Sequence, residues 1–175
     1  VAASLGADPA DVGAQLDEYA SRELFKSTPM GYRITPSGRQ RCTELVVAEQ
    51  RGADADAVKQ IYAAFTEHNF ELKALITDWQ TRGPEQPNDH TDPEYDGQVL
   101  DRLQALHQRV LPVLDRITAV APRLAHYRTR LVKAADAVAA GDHSYVSKPI
   151  TDSYHTVWFE LHEDLMGLAG LTRAE

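Results

Sequence analysis

The strongest constraint on the fold lies between Ala7 and Cys42, ADPADVGAQLDEYASRELFKSTPMGYRITPSGRQRC, which reads as a helix, a β-wing and a second helix in immediate succession. Asp8 suits an N-cap and Pro9 the first helical position. Val12, Leu16 and Tyr19 recur at helical spacing, so one face of a helix over about 9–22 is apolar. Leu24 and Phe25 end that run and begin a short hairpin. Ser27 to Gly31 supplies turn residues, and Tyr32-Arg33-Ile34-Thr35 is a β-prone returning strand. Thr35-Pro36 caps and opens the next helix. That helix is expected to carry Cys42, Leu45 and Val46 on its inner face, with the thiol buried. A helix followed by a wing is one way for a small domain to dock onto DNA.

The pattern LGADPADVGAQLDEYASRELF…GYRITPSGRQR resembles the second half of the winged helix-turn-helix domain of MarR-like and related bacterial regulators. The resemblance covers roughly the first third of the chain. It implies that the 9–22 helix is the recognition helix and the GYRIT strand the wing. VAASLG then corresponds to the end of the preceding helix, with Gly6 in the turn, and the leading helix of the domain is expected to be absent or to lie upstream. DNA contacts are expected from Gln15 and Arg22 on the helix, Lys26, Thr28 and Arg33 on the wing, and Arg39 and Arg41 on the helix after it. Such regulators commonly pair, so a homodimer is expected.

Charge sharpens this reading. The formal net charge of −8 opposes general attraction to nucleic acid or to acidic membrane surfaces. Residues 1–25 hold five acids against Arg22 alone, whereas residues 26–51 hold five bases against Glu44 and Glu49. The wing and the following helix are therefore locally basic, and the recognition helix is not. Its outward residues, Ala10, Gly13, Ala14, Asp17 and Ser21, are poor readers of base edges. Nothing approaches a transmembrane span and no signal peptide is visible, which fits a cytoplasmic protein. A single cysteine excludes an intrachain disulfide.

The remainder reads as helical. A helix over about 36–51 ends or bends near Gly52, and a long amphipathic helix follows over about 54–81. The proline-rich, acidic stretch 82–96 reads as a solvated loop. A helix over about 97–119 carries Pro112, which is expected to kink or break it. Pro122 opens a helix running to about Ala140, which Gly141 ends, and a last helix starts near Thr151 or Asp152. Four apolar seams keep three- and four-residue steps: Ile61–Phe65–(His68)–Leu72–Leu75–Trp79; Leu103–His107–Val110–Leu114–Ile117; Leu124–Tyr127–Leu131–Ala135–Val138; and Tyr154–Trp158–Leu161–Leu165–Leu168. The expected architecture is mainly α: a partial winged helix with one short β-hairpin over 1–51, then an antiparallel helical bundle over 52–175.

The bundle offers its own candidates. His155, Trp158 and His162 fall on nearly one face of the last helix, and His68, Asn69 and Lys73 border the seam of the 54–81 helix. These six side chains read either as half-buried packing residues or as the seat of a small anionic effector. A metal held by inward-pointing histidines, with Glu160 or Glu163, is a further reading. No catalytic residue, metal ligand set or cofactor motif is assigned, since HExxH, CxxC, a phosphate-binding loop and a dinucleotide fingerprint are all missing. Arg123, Arg128 and Arg130 beside Tyr127 read either as an anion site or as salt-bridge partners. The DSYHTVWFELHEDL segment is more loosely similar to tails of actinobacterial proteins that join a winged helix to a helical region. Some of these stand beside enzymes similar to pyruvate phosphate dikinase, which handle phosphoenolpyruvate. That likeness implies a regulatory or protein-interaction module that does not bind DNA, as the alternative to a transcriptional regulator. In neither case is an enzyme expected.

Overall fold

Three of the helices open with the same device, a capping side chain followed by proline. In the computed structural model, which describes residues 1–83 and 86–171, Asp8 Oδ1 accepts from the Ala10 and Asp11 amides, Thr35 Oγ1 from Gly38, and Asp92 Oδ1 from Glu94 and Tyr95. Each satisfies donors that the first turn leaves unpaired, while the proline has no N–H to lose. The resulting order is α1 (Ala2–Leu5), α2 (Pro9–Ser21), β1 (Phe25–Thr28), β2 (Gly31–Ile34), α3 (Pro36–Gly52), α4 (Ala55–Gln80), α5 (Pro93–Val120), α6 (Ala125–Ala139) after a single 3₁₀ turn, α7 (Ser144–Ser147) and α8 (Tyr154–Leu168). The fold is mainly α with one antiparallel hairpin.

Helices α4, α5, α6 and α8 form the bundle, and polar ties fix their directions. Asp78 and Glu71 of α4 meet Arg102 and Arg109 of α5. Gln104 of α5 reaches the Ala135 carbonyl of α6, and Tyr127 of α6 donates to Asp164 of α8. Trp158 of α8 donates to Asn69 of α4. Numbers rise on one helix as they fall on its neighbour, so successive helices are antiparallel. Phe65, Leu103, Leu131 and Leu161 are fully covered between them, and every residue of the α5, α6 and α8 seams named above is buried.

The helix after the acidic loop begins earlier than its apolar spacing implies, because Asp92-Pro93 starts it four residues before Gly97. Pro112 neither ends nor interrupts α5. It lies on the exposed face with Gln108, whose carbonyl loses its usual helical donor because proline has no N–H. In the wing, Ser27 and Thr28 belong to β1, so only Pro29-Met30 form the loop. Helix α8 starts at Tyr154, capped by Ser153, and a helical turn precedes it at Ser144–Ser147. Asn69, not His68, completes the α4 seam.

Cys42 and Leu45 are exposed, contrary to the inner face expected for them. Helix α3 has two contacts that choose its inner side. At its start, Gly38 is buried against the Leu24 carbonyl and the Ile34 side chain. At its end, Gln50 donates to the Gly167 carbonyl of α8, and Glu49 pairs with Arg123, which also reaches Asp164 at 3.2 Å. A helix presents one face to its neighbours, and this one leaves 42 and 45 outside.

Candidate functional site

The wing concentrates positive charge by its register. Lys26 stands directly opposite Arg33, and Phe25 opposite Ile34. Side chains alternate across a strand, so the two cations share the outer face while the half-buried Phe25 and Ile34 face the domain. Like charges placed directly opposite destabilise a hairpin. Neither cation makes an ion pair with a described residue, nor does exposed Arg39 near the start of α3. On the other face, the Tyr32 hydroxyl donates to Asp17, fastening the wing to α2.

The remaining residues expected at DNA are placed less favourably. Arg22 pairs with Glu18 at 3.4 Å and Arg41 with Glu44 at 3.1 Å, each on its own helix and exposed. Such pairs are weak. The Thr28 hydroxyl closes the hairpin by donating to the Gly31 carbonyl. Gln15 is exposed on α2, whose outer surface also carries Asp11, Asp17 and Glu18.

In the bundle, the six candidate effector residues separate. Asn69 and Trp158 are buried and bonded to each other at 3.1 Å, so their polar atoms are satisfied inside the core. His162 stacks on Tyr62 and lies against Phe65, with ring centroids at 6.2 and 5.8 Å. His68 and His155 are half-buried, and Lys73 is exposed. None of the six lines either of two clefts formed by the described residues. No three His, Cys, Asp or Glu side chains among those residues converge on a metal-sized site. The arginines around Tyr127 are salt-bridge partners. Arg123 holds Glu49 and Asp164, Arg128 holds Asp115, and buried Arg130 holds both Asp152 and Glu160.

The stretch expected to be a solvated loop is partly inside. Asn88 and Asp96 are buried: Asn88 donates to Asp96 at 2.8 Å and to the Trp79 carbonyl at 3.1 Å. His90 Nδ1 lies 2.9 Å from the second Asp96 oxygen, and its ring sits 4.4 Å from that of Trp79. Its φ of 57° is in the left-handed region, a rare conformation for a residue other than glycine. His143 meets the Trp79 ring edge-on, and Ser144, Ser147 and Lys148 complete a cleft of about 620 Å³. These groups offer donors to a small polar ligand. The readable signal was Asn88-Asp89-His90, since Asn and Asp favour turns that fold a loop back on itself.

Burial holds the His107 imidazole below its ordinary pKa; nearby Arg128 acts in the same direction, and Asp136 opposes them. Burial also lowers His155. Both therefore bind a proton more weakly folded than unfolded. Their contribution is present above the unfolded value, 6.5, and is lost as pH falls from there through the lower folded values. Urea titrations should show stability decreasing between pH 7 and pH 5, by at most about 1.4 kcal/mol per pH unit for each group. His107→Gln should flatten that slope; an unchanged slope would contradict the assignment.

Compared with protein-family models, with curated proteins and with solved structures, the chain matches none of them. No helix among the described residues is long and apolar enough to cross a membrane.

Proposed function

We propose that this chain is a transcriptional regulator, or a module derived from one, that docks on duplex DNA through its wing. The observation carrying this reading is the unpaired Lys26–Arg33 cross-strand pair, with Arg39 exposed on the next helix. Two like charges held face to face without a carboxylate are stabilised by an anion, and the phosphate backbone supplies a row of them. The acidic outer surface of α2 argues for attachment through phosphates with little base readout. On this reading the protein acts in the cytoplasm as a homodimer, with the bundle as its pairing part.

The test is anisotropy of labelled duplex DNA across a salt series. Each phosphate contact contributes about 0.9 to the slope of log affinity against log salt, so Lys26→Ala with Arg33→Ala should reduce that slope by about 2. Arg41→Ala should change it less than either, because Glu44 beside Arg41 offsets part of its charge. Absence of binding at low salt would sink the reading. The accessory-module alternative would then stand.

A further inference from the structure

An exposed stripe runs along α4 and contains its own charge complement. Lys59 and Glu67 stand four residues either side of Ala63, and all three are exposed. Neither charged group makes an ion pair with a described residue. Beyond Glu67, Phe70 is 73% exposed, an unusual position for a ring that size. At the opposite end of the stripe, Ala53, Ala55 and Val58 form a hollow with Leu168 and Leu171, part of an open apolar groove of about 950 Å³.

We infer that this face pairs with the same face of a second copy, α4 against α4, about a two-fold axis at Ala63. Antiparallel alignment there brings Lys59 level with the partner's Glu67, and Glu67 with the partner's Lys59. It also brings Phe70 level with the partner's exposed Asp56, at the edge of the hollow that begins at the partner's Ala55. Ala63 at the axis has no bulk to hold the helices apart. The two ion pairs then lie about 12 Å apart along the helix, eight residues at ~1.5 Å each. A two-fold interface requires one patch that complements itself, and the Lys59–Ala63–Glu67 spacing does so. The inference rests on the pairing part of the proposed function and supplies its surface, but needs no nucleic acid.

The experiment is sedimentation equilibrium of the 175-residue chain without DNA, comparing wild type with Lys59→Glu, Glu67→Lys and the double reversal. Wild type should show twice the 19.4 kDa chain mass at micromolar concentration. Each single reversal sets two like-charge pairs in place of two ion pairs and should weaken association by about tenfold or more. The double reversal should restore it. Phe70→Ser should dissociate the pair with unchanged circular dichroism. A monomeric wild type, or a dimer indifferent to the single reversals, would overturn the inference. Failure of DNA binding by an intact dimer would count against the wing alone.

Discussion

Gly38→Ala should dislodge the wing. A methyl group at this position would lie 2.1 Å from the Leu24 carbonyl oxygen and 2.8 Å from Ile34 Cγ1. The nearer obstacle is backbone, so no side chain can turn aside to make room. Relief requires α3 to move off the hairpin. That motion breaks the hub at Thr35, whose amide donates to Leu24, whose hydroxyl reaches the Glu23 carbonyl at 2.7 Å, and whose oxygen caps Gly38. Overpacking usually costs about 1–3 kcal/mol, and a contact this short against a carbonyl belongs at or above the top of that range. Both tryptophans, Trp79 and Trp158, lie in the bundle. Their fluorescence should therefore report a bundle transition near that of wild type, while amide hydrogen exchange accelerates across 22–40. Exchange indistinguishable from wild type would refute the role given to Gly38.

Arg130→Ala should strongly destabilise the bundle. The guanidinium is 7% exposed, donates through Nε and Nη2 to Asp152 and through Nη1 to Glu160, and lies over the Tyr127 ring. It ties α6 both to α8 and to the turn before it, where Ile150 has a positive φ. Breaking a buried ion pair typically costs 3–5 kcal/mol because the surviving charge is stranded; here both carboxylates are about 40% exposed and can rehydrate, which places the loss at about 3 kcal/mol. Arg130→Lys keeps the charge but cannot form the planar fork, so it should recover only part of that. Chemical denaturation at neutral pH measures both variants. Full recovery with lysine would mean that charge alone matters.

Much of the architecture was legible because it follows from local rules. Helix caps act within four residues, and an amphipathic seam needs only a steady three- and four-residue spacing. Hence α2, the hairpin, α4 and the seams of α5, α6 and α8 lie close to where spacing and capping place them. Asp92-Pro93 carries the same signal as Asp8-Pro9, but the prolines and acids around it disguise it as loop. Which face of α3 is covered was not legible. Its composition allows Cys42 and Leu45 inward, and only the docking of Gly38 on the hairpin and of Glu49 and Gln50 on the bundle turns them out.

The candidate sites divide in the same way. The basic residues of the hairpin are written in the sequence, but Ser27 and Thr28 read there as turn residues, and only the observed two-residue loop sets Lys26 opposite Arg33. The symmetry of Lys59, Ala63 and Glu67 is written in the spacing of one helix. The pairing of Asn69 with Trp158, the closure of Asn88 and His90 over Trp79, and the grip of Arg130 on two carboxylates join residues far apart in the chain. The sequence by itself determined α2, α4, the apolar seams of α5, α6 and α8 and the basic character of the hairpin, since these depend on short-range spacing and composition. Tertiary structure decided which polar side chains are satisfied inside and which remain free, because that depends on what folding places within hydrogen-bond distance.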